Sequence, residues 1–216
     1  TDRSIQALAE GLRAGMREDE IPAIFEAVYL KAGGYAGIHF MSSMPMRAPD
    51  FPVPSQFHSK RKLEKGDALI TEISGAYEGY SGQIHRTFSI GEGATPEWQK
   101  MHDAAIEVFE ILSKVIKDGA TTMEAEEAAE VVHRRGYSTY DDLVHGVNQY
   151  PPIFQTKTRK RHESRELIFR ENMVIVIQPN LMTYDEKMGL QFGETLVVQK
   201  NGCESLNAYP RQWITC

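Results

Sequence analysis

The stretch ISGAYEGYSGQIHRTF, residues 73 to 88, constrains the fold more than any other part of the chain. β-Branched and aromatic residues alternate with small and polar ones on both sides of a tight turn, the pattern of an antiparallel hairpin, with strands predicted over 67–74 and 77–90. Successive strand residues point to opposite faces, so Gln83 and His85 share one face, and the partner strand sets Glu72 beside them. Such a polar row serves a metal, serves another kind of catalysis, or is the remnant of one.

Around the hairpin, helical periodicity runs over 4–13 and 18–31, closed by Gly33-Gly34, and a strand is expected over 37–43. The proline-rich stretch from Met44 to Pro54 excludes regular structure. Thr95-Pro96 opens a helix whose apolar stripe runs from Trp98 to Ile116, and Thr121 with Glu124 forms a capping box for another helix reaching Gly136. The chain then returns to strands at 173–179, 188–199 and 203–207, the last two joined at Asn201-Gly202. A helix pair followed by strands, twice over, predicts an α+β fold with a curved antiparallel sheet backed by helices.

Composition narrows the function. The 216 residues are 41% hydrophobic and 25% charged, and no run reaches the roughly 18 apolar residues of a membrane helix. A net charge of -6 argues against a nucleic-acid surface, so a small or neutral ligand is expected. Two cysteines, Cys203 and Cys216, are too few for a disulfide framework, which points to a reducing, cytoplasmic setting. The basic stretch at 157–165 is read as a solvated loop.

In order and spacing, AGMREDEI, KLEKGDALITEISGAYEGYSGQIHRTFSIG, LVHGV, FRENMVIVIQPNL and GLQFGETLVVQKNGCESLNAYP resemble the pita-bread fold family. That family includes methionine aminopeptidase, Xaa-Pro aminopeptidase, prolidase and creatinase. The resemblance covers nearly the whole chain and implies a single catalytic-type domain over 1–216, in relatives that usually pair as homodimers. The chain opens on Thr1, and the amino-terminal domain of prolidase and creatinase is expected to be absent or removed.

The metallopeptidases of this family hold two divalent cations with two aspartates, a histidine and two glutamates. The resemblance places Glu72, Gln83, His145, Gln178 and Gly193 at those positions. Glu194 cannot substitute for the last, because neighbouring strand residues face opposite ways. One carboxylate remains of four. Each loss at ~4 Å and an effective dielectric of ~20 forfeits about 4 kcal/mol, on the order of 10 kcal/mol in total, so no metal or other cofactor is expected. A further histidine used by the family falls on Ser55, with His58 close by to compensate, and one expected after the His-Gly motif meets Gln149 and Tyr150.

Creatinase, by resemblance, cleaves a C–N bond without metal, using histidine and glutamate side chains, and its hairpin glutamate corresponds to His85. The expected activity is therefore metal-independent hydrolysis of a C–N bond in a small molecule or short peptide. Catalysis is assigned to His85, His145 and Glu72, and substrate binding to Gln83, Gln178, Ser55 and His58, with His85 titrating near neutrality. Two other readings stay open: a non-catalytic binding module, in which Gln83 and Gln178 satisfy one another, and a metal-dependent aminopeptidase with unusual ligands. Glu72 as a buried acid paired with Arg86 or His145 is the structural alternative.

Overall fold

A computed structural model of the chain describes residues 1–146, 151–159 and 166–216. Helices α1 (Asp2–Gly11) and α2 (Pro22–Lys31) come first, followed by strand β1 (Tyr35–Pro45) and the hairpin β2 (Asp67–Tyr77) and β3 (Tyr80–Ser89). Then come α3 (Pro96–Val115), α4 (Thr122–Ala129) and α5 (Val131–Arg134). The remaining strands are β4 (Ser138–Thr139), β5 (Val144–Gly146), β6 (Pro152–Phe154), β7 (Val174–Ile177), β8 (Leu181–Met182), β9 (Gly193–Gln199), β10 (Gly202–Ser205) and β11 (Ile214–Thr215).

The main sheet runs in the order β1, β2, β3, β9, β7, β5, β6, with β10 on β9 and β11 on β3. All pairings are antiparallel except that of β11. The first and last thirds of the chain therefore meet at β3 and β9, where His85 lies opposite Gly193.

Helices cover one face of this sheet. Ile5, Leu8, Phe25 and Tyr29 of α1 and α2 pack on Leu69, Ile73, Ile84 and Phe88, all buried. Trp98, Val108, Phe109 and Leu112 of α3 pack with Ile175, Ile177, Leu196 and Val198. Because alternate residues of β2, β3, β5 and β7 are committed to these two cores, Glu72, Gln83, His85, His145 and Gln178 are left for the opposite face.

The hairpin turn falls at Glu78-Gly79, later than predicted. Both residues have positive φ, 50° and 85°, as a two-residue turn matched to strand twist requires. The helix expected over 18–31 begins as a 3-10 turn, Glu18–Glu20, and becomes α-helical only at Pro22. The capping box is present, with Thr121 Oγ1 accepting from Glu124 N and Thr121 N donating to the Glu124 carboxylate, but that helix breaks at Glu130.

Candidate active site

The uncovered face of the sheet encloses a cavity of about 530 Å³, within the usual range for small-ligand sites. Glu72 from β2, His145 from β5, Gln178 just after β7, and Gln191 before β9 form its polar wall. Ser55, Asp141 and Asp142 join them, and Phe40, Val53, Pro54 and Pro152 supply apolar surface.

Glu72 is 4% exposed and lies opposite His85 in the strand register. Gln83, one diagonal step away, donates from Nε2 to Glu72 Oε1. Its own Oε1 has no partner. Gln178 is engaged elsewhere: Oε1 lies 2.8 Å from His145 Nε2, while Nε2 donates to Asp141 Oδ2 at 3.1 Å and Asp142 O at 2.9 Å. The two glutamines therefore serve separate partners instead of each other.

Both ring nitrogens of His145 face oxygens, Gly146 O at Nδ1 and Gln178 Oε1 at Nε2. Burial lowers its pKa, and these two contacts oppose the shift because a protonated ring can donate to both at once. Asp141 accepts from Gln178 and, at 3.2 Å, from Asn180 Nδ2. Burial first, and the neighbouring charge of Glu72 second, push its pKa up to about 8.

His85 departs from expectation. It is fully buried and lies behind the cavity wall, its Nδ1 3.1 Å from Gln191 Oε1 and 3.3 Å from Asn180 Oδ1. Nε2 has no partner, and Glu72 Oε2 is 3.9 Å from Nδ1. Burial lowers its pKa to about 4, so the ring is neutral at pH 7 and does not titrate near neutrality.

His58 is also corrected. Ser59 binds Glu18 through both its backbone N–H and its hydroxyl, which holds this loop at the helix side, where the charges of Glu18, Glu26 and Asp19 act on His58. It does not line the cavity, whereas Ser55 does, with its hydroxyl closed in a local turn with Phe57. Gln149, Tyr150 and most of the basic stretch lie outside the described residues.

Glu194 points away from the cavity. Its carboxylate accepts from Arg86 Nη2 at 2.6 Å, Arg211 Nη2 at 2.9 Å and Ser205 Oγ at 2.7 Å. Arg86 thus pairs with Glu194 and leaves Glu72 to the cavity. At Gly193 a Cβ would lie 2.9 Å from Gln178 Cβ and 3.0 Å from both Gln178 Cα and Ile177 O. No side chain fits there without parting β7 from β9. Among the described residues, no group of three or more His, Cys, Asp or Glu is placed to hold a metal ion.

Residues the sequence did not flag are Asp141, Asn180 and Gln191. Gln191 carried a signal, since it lies two residues before Gly193 and so shares its face. Asp141 and Asn180 sit in irregular segments and carried none.

A curled antiparallel sheet, helices on its outer face and a polar cavity within define a domain of the pita-bread fold. The chain belongs to Metallopeptidase family M24, whose family model matches residues 1–200. It is similar to the Xaa-Pro dipeptidase of Pyrococcus furiosus, 25% identical over 98% of this chain and 59% of that protein. It is likewise similar to the ectoine hydrolase of Halomonas elongata, 25% identical over 97% of this chain and 53% of that protein. The solved X-Pro aminopeptidase of Thermotoga maritima superposes with a TM-score of 0.80 at 26% identity, covering 100% of this chain and 59% of that one. The chain thus spans little more than half the length of these relatives. No helix among the described residues is long and apolar enough to cross a membrane.

Proposed function

We propose that this cavity hydrolyses a C–N bond of a small molecule or short peptide without a dinuclear metal centre. The observation that carries the reading is the packing at Gly193, where Gln178 and Ile177 occupy the space a fifth ligand would need. The remaining family positions offer one carboxylate, one imidazole and two amides, a donor set that does not fit a pair of hard divalent ions. The similarity to a relative named for hydrolysing ectoine supports a substrate outside the peptides.

In this reading Glu72 is the general base. It takes a proton from a water molecule whose oxygen attacks the substrate carbon and passes that same proton, by way of His145, to the departing nitrogen as the C–N bond breaks, so that both side chains end as they began. Gln178 aligns His145, and Gln83 holds the Glu72 carboxylate. His85 is a positioning residue that acts through Gln191, a member of the cavity wall 3.1 Å from its Nδ1. By the same resemblance the chain works as a homodimer in the cytoplasm, in keeping with its two free cysteines, Cys203 and Cys216.

The test is turnover of a panel of amidines, guanidines, amides and Xaa-Pro dipeptides in excess chelator. Hydrolysis that persists in chelator and falls by roughly 10²–10⁴ in Glu72→Gln is expected. Turnover only after Mn, Co or Zn is added overturns the proposal, as does failure to cleave any member of the panel.

A further inference from the structure

The cavity wall is drawn from both halves of the sheet, with Glu72 on β2, His145 on β5 and Gln191 ahead of β9. Ladder hydrogen bonds fix these backbones but leave the side chains free to turn, so a supporting group must hold the ring of His145 and the amide of Gln191 in one arrangement. The residue that connects to both is Asn180, which lies between β7 and β8, is 2% exposed and stands behind the wall.

The orientation of its amide follows from a backbone group. Phe192 N–H can only donate, and it lies 3.3 Å from one end of the Asn180 amide, which must therefore be the oxygen. The nitrogen then faces Asp141, whose Oδ2 accepts from it at 3.2 Å. Asn180 Oδ1 is also 3.3 Å from His85 Nδ1, so that ring nitrogen carries the proton and shares it with Gln191 Oε1 at 3.1 Å. The same logic holds on the other side. Asp142 O can only accept, so the Gln178 amide turns its nitrogen there, at 2.9 Å, and to Asp141 Oδ2, at 3.1 Å. Its Oε1 is left for His145 Nε2 at 2.8 Å.

An unbroken run of hydrogen bonds thus passes from His145 through Gln178, Asp141, Asn180 and His85 to Gln191, and both of its ends are in the cavity wall. Asn180 is the member that ties β3, through His85, and the approach to β9, through Phe192 N, to the connection between β4 and β5, through Asp141. From this we infer that Asn180 is a positioning residue for the hydrolysis, holding His145 and Gln191 in a fixed relation across the cavity from a place where it touches no substrate. The inference goes beyond the proposed function and rests on it in one respect, namely that His145 carries the proton to the departing nitrogen. Bonds linked in series polarise one another, so loss of the middle member is felt at both ends.

Imidazole nitrogen NMR of the unaltered chain is expected to show His85 with its proton on Nδ1, and a proton on Nε2 instead overturns the inference. In Asn180→Leu, close in volume but without polar atoms, the His145 ring signals are expected to move although the substitution lies three hydrogen bonds away along the run. Turnover is expected to fall by roughly 10–100-fold in kcat, with KM changed by less than about threefold. A purely structural role lowers the unfolding midpoint and leaves both the His145 signals and the kcat of the folded protein unchanged, and that outcome overturns the inference. Asn180→Ser, which keeps an oxygen near Phe192 N but does not reach Asp141, replaces the leucine variant if that one does not fold, with the same changes expected. If the parent hydrolyses nothing, the catalytic proposal fails, and the tautomer of His85 and the His145 signals still decide this inference. Hydrolysis in chelator that Asn180→Leu leaves intact sinks this inference alone.

Discussion

Replacing Gly193 with alanine tests whether the packing that excludes a ligand is as tight as its geometry implies. The new Cβ would meet Gln178 Cβ at 2.9 Å and Gln178 Cα and Ile177 O at 3.0 Å, positions fixed by the β7 and β9 backbones. Comfortable carbon contacts begin near 3.5 Å, so the strands must part by about 0.5 Å. Overpacking of this kind costs roughly 1–3 kcal/mol, and alanine recovers about 0.4–1 kcal/mol by restricting the unfolded chain, which leaves a net loss of roughly 1–2 kcal/mol. The same displacement lengthens the contact of Gln178 Oε1 with His145 Nε2 from 2.8 Å to at most about 3.3 Å, weakening the bond that aligns that ring. Urea denaturation followed by tryptophan fluorescence is expected to give a lower midpoint with an unchanged slope, and turnover is expected to fall with it. A variant as stable as the parent, or more so, would refute the packing argument and reopen the position to a larger side chain.

Glu194→Ala strands Arg86 in a buried site next to Arg211, and a loss of about 3–5 kcal/mol is expected in the same assay. Acid is expected to destabilise the fold through its buried neutral histidines. His39, His85 and His102 are each lowered to about 4, chiefly by burial, so their contribution is complete above pH 6.5 and is lost as the pH falls toward 4. At pH 5 this amounts to about 2 kcal/mol per ring, because the unfolded rings bind protons that the folded ones refuse. Asp141, raised to about 8, works in the opposite direction, favouring the fold increasingly as pH falls from 8 toward 4. The histidine effect is isolated with His102→Phe, a ring that packs against Phe192 and Trp213. Its stability difference between pH 7 and pH 5 should shrink by about 2 kcal/mol relative to the parent, and an unchanged difference would refute the burial argument.

The face of the site was legible in the sequence because strand alternation is a two-residue period that local composition displays. Glu72, Gln83 and His85 fall on one side of β2 and β3 for that reason, and Glu194 falls on the other. How deep each residue lies was not legible. His85 shares a face with Gln83 yet is sealed behind Glu72 and Gln191, since depth depends on how the sheet curls and on which loops close over it. The loop residues were the hardest to place. His58 is carried to the helix side by the bonds of Ser59 to Glu18, a contact between residues 41 positions apart, and Asp141 reaches the cavity from a segment with no periodicity. Helix ends follow the same logic. The Thr121 capping box is a local signal and was readable, whereas the break at Glu130 was not.

Metal content of the chain, purified and then equilibrated with excess Mn, Co or Zn before desalting, tests the central claim most directly. With Glu72 as the one carboxylate among the five family ligand positions and Gly193 closed by Gln178, well under one equivalent per chain is expected. Two equivalents retained per chain would contradict it.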